Sequence, residues 1–203
     1  SHLATPFIDR DDAWLSEGIA TYYQEVLRAR ADLQSAEQAW SNLDDGFSRG
    51  DRDGTGRSLA EESRAMSETA AFRRVYWAGA AIALMADLEI RNRSHGERSL
   101  DDALDHLNRC CAAGDRPMSG EEAIARLDEV ESGAFGAIAR RHLDRSEFPR
   151  LDAAFRRLGI ARASSGAMQL LEDPEARALR DAITAPRGDL EDVPPCGPWF
   201  ARE

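Results

Sequence analysis

Leu15, Ile19, Tyr22 and Val26 recur at i, i+4, i+7 and i+11, one apolar stripe that predicts an amphipathic helix near the N-terminus. Asp11 and Asp12 open it, residues suited to capping free amides and to the positive end of a helix dipole. Glu17 falls off the stripe among Ala13, Gly18, Ala20 and Thr21, so small groups surround its carboxylate and leave room for something bulky. On periodicity alone an ordinary exposed helix glutamate is the better reading. Helical spacing continues from Asp32 to Phe47 through Leu33, Ala36, Ala39, Trp40 and Leu43, with Ser35 as a cap. Ser48 to Arg57 is charged and glycine-rich, which predicts a surface loop.

From Ser58 the pattern is helical again and leads into the most apolar segment, Ala71 to Arg93. Within it the 12 residues Val75 to Ala86 are hydrophobic all round. That is too short to span a bilayer and predicts a central buried helix, whose small residues allow close helix contact. Beyond it Ser99 caps a helix from Leu100 to Ala113, with Leu100, Ala103, Leu104 and Leu107 inward, and Gly114 to Pro117 breaks it. Ser119 and Glu122 form a capping box for a helix through Val130. Phe135 to Leu143 and Leu151 to Leu158 follow, the latter ended by Gly159. Met168 to Leu171 predicts one short strand and Pro174 to Ile183 a last helix. The prolines and glycines past Thr184 indicate an extended tail, pinned by Trp199 and Phe200. No internal repeat emerges. The fold class expected is all-α, an irregular multi-helix domain over 1–184 with an extended tail over 185–203.

Composition narrows the function classes. Among 203 residues, 42% hydrophobic and 31% charged content suits a globular chain with one good core. A net charge of −11 without a basic stripe argues against nucleic acid as a partner, and without an 18-residue apolar run no membrane span is expected. All positive charge is arginine, which a GC-rich bacterial genome explains, and the compartment stays open between cytoplasm and periplasm. Cys110, Cys111 and Cys196 make no Cys-x-x-Cys pair, and the adjacent two read as small buried residues. Asp51, Asp53, Thr55, Gly56 and Glu62 match EF-hand loop spacing, but Ser58 stands where an apolar residue is usual and no second copy exists, so a plain surface loop is preferred.

Trp14-Leu15-Ser16-Glu17-Gly18-Ile19-Ala20-Thr21-Tyr22 resembles the Trp-Leu-x-Glu-Gly-Phe-Ala-x-Tyr signature of the gluzincin metallopeptidases, which bind zinc through His-Glu-x-x-His and a later Glu. The resemblance implies that Glu17 is a zinc ligand. Val75-Tyr76-Trp77-Ala78-Gly79-Ala80 resembles the Tyr-x-x-Gly-Ala segment that follows in those peptidases, and Tyr76 stands 59 positions after Glu17, as the family would have it. By that resemblance the Tyr76 hydroxyl donates to the oxyanion of the tetrahedral intermediate. Taken singly, Tyr76 reads as a core tyrosine. Ala78 replaces a lysine common among relatives, which bears on substrate contacts. His2 reads either as the last histidine of His-Glu-x-x-His, and so a zinc ligand, or as the remnant of an expression tag. Its separation from Glu17 is shorter than in the best-known aminopeptidase branch and closer to relatives of the glycyl aminopeptidases.

This resemblance, specific over residues 11–110, implies the C-terminal helical half of a zinc-dependent peptidase catalytic unit, truncated at or within His-Glu-x-x-His. It implies a peptide substrate and, as partner, the upstream N-terminal half of the same protein. The general base would be missing, so the chain alone is expected to be inactive and to bind zinc weakly. The rival class is a helical interaction or scaffold domain that kept the fold without the chemistry. The sequence upstream of Ser1 would discriminate the two.

Overall fold

The computed structural model describes residues 5–112, 116–163 and 166–186. A 3-10 turn, Arg10–Asp12, leads into α1, Ala13–Arg30. The predicted stripe of α1 is its buried face, with Leu15 and Ile19 at 1% exposure and Tyr22 and Val26 at 0%. The expected capping by Asp11 and Asp12 is corrected: neither side chain caps α1, and Asp12 instead accepts from the backbone N–H of Gly120, 2.7 Å away, at the start of another helix. The chain just before the turn is fastened to the same region by paired backbone bonds, Asp9 N–H to the Met118 carbonyl and Met118 N–H to that of Phe7, both 2.8 Å.

α2, Ala36–Arg52, is capped by Ser35 as expected, its hydroxyl accepting from the Gln38 N–H at 3.0 Å. Two expectations around it fail. The chain breaks between the helices, where Asp32 takes a left-handed φ of 54°, and Leu33 is 73% exposed rather than inward. The helix also continues through Arg52, absorbing half of the predicted loop. Gly50 reads as a turn signal, but it and Gly46 are packing positions: a Cβ at Gly46 would lie 2.1 Å from the Trp77 ring and one at Gly50 2.6 Å from Trp77 Cβ. Asp51 therefore lies inside a helix, Asp53 pairs with Arg73 at 2.5 Å, and Thr55 donates its hydroxyl to Glu62. These acids point along separate contacts rather than around a common calcium position.

α3, Leu59–Thr69, starts with the capping box of Ser58 and Glu61. After a left-handed residue at Ala70, α4, Phe72–Arg93, is the central buried helix the pattern predicts, with Ala78 and Ala80 to Leu84 fully buried. Around it lie α5, Leu100–Cys111; α6, Gly120–Leu127, opened by the Ser119 and Glu122 capping box; α7, Ala134–Leu143; α8, Asp152–Arg157; and α9, Pro174–Thr184. α4 touches α1, α2, α3, α5, α7 and α8, so most apolar faces are buried against this one element. β1, Ile160–Arg162, pairs antiparallel with β2, Met168–Leu170, Ile160 opposite Leu170. The domain is all-α apart from this ribbon, among the described residues.

Smaller departures have local causes. α6 ends at Leu127, not Val130, because Asp128 turns back to accept from the N–H groups of Phe135 and Gly136 at the start of α7, at 2.9 and 3.0 Å. β1 went unforeseen because three residues after Gly159 are too few to show an alternation. Cys110 and Cys111 are not buried: they stand at the exposed end of α5, joined to each other. No helix among the described residues is long and apolar enough to cross a membrane. Gly114, Trp199, Phe200 and Cys196 lie outside the described residues, as does the predicted tail from 187 onward.

One buried polar network ties four helices. Asp87 accepts from the Tyr22 hydroxyl at 3.0 Å, the Leu100 N–H at 2.8 Å and Arg91 Nε at 3.0 Å. Beside it Arg30 forks onto Asp101 at 2.7 and 3.0 Å and reaches the Ile183 carbonyl at 2.8 Å. Every Asp87 oxygen is thus satisfied, the condition under which a buried carboxylate is tolerated, and α1, α4, α5 and α9 are held in one arrangement.

Candidate active site

The two motifs meet because their glycines meet. A Cβ at Gly18 would fall 2.4 Å from the Gly79 backbone, and one at Gly79 would fall 2.0 Å from the Trp14 carbonyl oxygen and 2.7 Å from Gly18 Cα. α1 and α4 therefore cross backbone to backbone at this pair, closer than any residue with a side chain permits. Glu17 precedes Gly18, and Tyr76 lies one turn before Gly79 on the same face of α4. The crossing places these two side chains together.

The Tyr76 hydroxyl lies beside the Glu17 carboxylate. Burial, then the nearby Glu17 carboxylate, as a negative charge and as an acceptor, raise the Tyr76 pKa above the ordinary tyrosine value. The Phe72 ring meets the Tyr76 ring edge-on with centroids 6.4 Å apart, which helps fix the phenol. Glu17 is half-buried and borders a cleft of about 480 Å³ whose walls include Phe7, Arg10 and Ser16 on one side and Arg64 and Met66 of α3 on the other. Ser63 of α3 accepts from the Trp14 N–H at 3.1 Å, pinning that wall to the first turn of α1. Among the described residues, Glu17 is the one carboxylate in the cleft lining.

This pairing can be read optically. A carboxylate beside a phenol disfavours the phenolate, so Glu17→Gln removes one cause of the raised Tyr76 pKa while the larger cause, burial, stays. The tyrosinate absorbance midpoint assigned to Tyr76 is expected to fall in the variant yet remain above that of free tyrosine. Tyr22 and Tyr23, almost completely buried, are pushed well above the ordinary value, so Tyr76 ionises first. An unchanged first midpoint in Glu17→Gln would show that the two groups are not in contact.

His2 lies outside the described residues. Among the described residues no group of three His, Cys, Asp or Glu converges as a metal would require. Glu17 fits as a single carboxylate ligand, half-buried, with the Tyr76 hydroxyl beside it and bordering a cleft. Sequence reasoning missed Phe72, Ser63 and the α3 wall. It also missed the glycine crossing itself, although a glycine stands in each motif with Ala78 and Ala80 flanking the second, which is the signal that could have revealed it.

Residues 7–85 match the family model of the M61 glycyl aminopeptidases. The span takes in α1, α2, α3 and most of α4, hence Glu17, Tyr76 and both crossing glycines. It marks a peptidase-related domain. The match stops short of residue 110, where the motif-based resemblance was placed, so α5 to α9 lie beyond it. No curated protein matches the chain.

Proposed function

We propose that this chain forms the helical part of a zinc-dependent, aminopeptidase-like catalytic unit, to which it contributes Glu17 as a metal ligand and Tyr76 as an oxyanion donor. The observation that carries this reading is the backbone-close helix crossing that sets those two side chains beside each other, together with the M61 match over the residues that make it. Two motif residues are drawn together from 59 positions apart, and packing explains only one of them: the half-buried Tyr76 ring packs against the core, whereas the half-buried Glu17 borders a cleft. The remaining ligands and the general base belong to His-Glu-x-x-His, of which His2 would be the last residue.

Zinc, when bound, polarises a scissile carbonyl and activates water. Glu17 supplies a hard anionic oxygen that is pre-aimed because Gly18 and Gly79 leave its helix no freedom to slide. Tyr76 holds that carboxylate while no substrate is present and turns its hydroxyl to the substrate oxygen as negative charge develops there. Its raised pKa keeps the proton on the phenol near neutral pH, so it acts as a donor. The cleft between the 5–10 segment and α3 receives the peptide.

The test uses the full-length protein. Glu17→Gln keeps the size of the side chain and removes its charge, so zinc content and peptidase activity are expected to fall together, by at least about tenfold, since loss of a mere supporting partner of a ligand already costs that much. Retention of both zinc and activity would refute the ligand assignment, and a wild-type full-length protein with neither would favour the scaffold reading.

A further inference from the structure

A second cleft, about 620 Å³ in volume, lies between the C-terminal half of α2, the first turn of α4, the segment 146–151 and α8. Arg74 stands in its wall, two residues before Tyr76 and so about 200° around α4 from it, which separates this cleft from the Glu17 site. Three aromatic rings stand in an otherwise largely charged and polar lining: Phe47 tilts against Phe148 and Phe155 with centroids 6.5 and 6.3 Å apart. The Arg74 guanidinium lies 5.2 Å from the centre of the Phe148 ring.

Arg74 is only 1% exposed, and its hydrogen bonding is incomplete. Nη2 donates to the Ser146 carbonyl at 2.7 Å, whereas Nε and Nη1 are buried and have no hydrogen-bond partner among the described residues. Native structures rarely leave buried donors unfilled, least of all charged ones, and such a group calls for an explanation. Nη2 carries a second hydrogen, so at least one two-donor edge of the fork stays open, the shape that carboxylates match with two parallel bonds. The other arginines that line this cleft, Arg150 and Arg162, are exposed, and Arg162 is already engaged with Asp44 at 2.6 Å. Asp51, Glu147 and Asp152 border the same cleft and repel a dianion such as phosphate more than a monoanion, while the phenylalanines favour an apolar body.

We propose that this cleft binds the carboxylate of a small organic acid with an apolar or aromatic body, its oxygens on the open edge of Arg74 and its body against Phe148 and Phe155. The half-buried Phe148 ring is the side chain that turns aside to admit it. Arg74 would then be kept for a ligand, whose carboxylate its unpaired donors would meet.

Thermal unfolding and calorimetry of the chain with N-acetylphenylalanine, its carboxamide and inorganic phosphate test this. The carboxylate is expected to raise Tm by roughly 5–10 °C at about a hundredfold excess over Kd, while the carboxamide and phosphate leave it unmoved. Arg74→Met, which keeps an unbranched side chain and removes every donor, is expected to abolish the response. Should it fail to fold, Arg74→Lys keeps the charge without the fork and is expected to bind at least about tenfold more weakly. No response to the carboxylate, an equal response to the carboxamide or to phosphate, or undiminished binding by the Arg74 variant would each overturn the proposal.

Discussion

Gly79→Ala is expected to be among the most damaging single substitutions in this chain. The added methyl would fall 2.0 Å from the Trp14 carbonyl oxygen and 2.7 Å from Gly18 Cα, and both obstacles are helix backbone, which cannot swing aside as a side chain would. α1 and α4 must separate, and the residues packed along that crossing, Trp14, Leu15, Ala78 and Ala80, are all buried. Alanine gains about 1 kcal/mol over glycine in a helix interior, which sets the sign as a contest. Overpacking alone costs typically 1–3 kcal/mol, and here a backbone shift opens voids on either side of the new methyl. The net expected loss is roughly 2–4 kcal/mol, or a drop in Tm of about 5–15 °C for a chain of this length. Gly54→Ala is the control: its methyl would meet nothing nearer than the Asp51 carbonyl at 3.6 Å, so stability should stay within about 0.5 kcal/mol. Equal melting of wild type and Gly79→Ala would mean the helices are not in backbone contact.

The same crossing explains what could be seen from sequence and what could not. The core stripe of α1 and the buried α4 were legible because apolar spacing over many turns leaves little choice of face, and the Ser35, Ser99 and Ser119 caps were legible because each offers a hydroxyl just where a helix has free N–H groups. Gly50 misled because glycine marks both a turn and a place where another side chain needs room, and only the presence of Trp77 across the interface decides between them. Asp12 misled for a similar reason: the amide it caps belongs to Gly120, far along the chain, and no local rule reaches that distance. The pairing of Glu17 with Tyr76 was suggested by two motifs in the right order, while the contact depends on a helix crossing that no linear pattern encodes. Arg74 gave no signal at all, since an arginine three residues into a helix looks solvent-facing until its neighbours are known.

The second large effect concerns chemistry rather than stability. Tyr76→Phe removes one hydroxyl from a half-buried ring and leaves Glu17 in place, so the fold should lose no more than about 1 kcal/mol. If the hydroxyl serves the developing oxyanion, its loss is felt only as charge builds on the substrate oxygen, and kcat should fall while KM changes little. The expected size is about 10²–10³ in kcat, the scale for losing one oxyanion donor. The variant also separates the two roles proposed for this pair, because Glu17→Gln acts through the metal and Tyr76→Phe does not.

The most direct measurement is therefore kcat for peptide hydrolysis by the full-length Tyr76→Phe protein, taken with its zinc content and melting temperature on the same preparation. The account predicts full zinc content, a nearly unchanged Tm and a kcat lower by about two to three orders of magnitude. A folded, zinc-replete Tyr76→Phe enzyme turning over at close to the wild-type rate would contradict it.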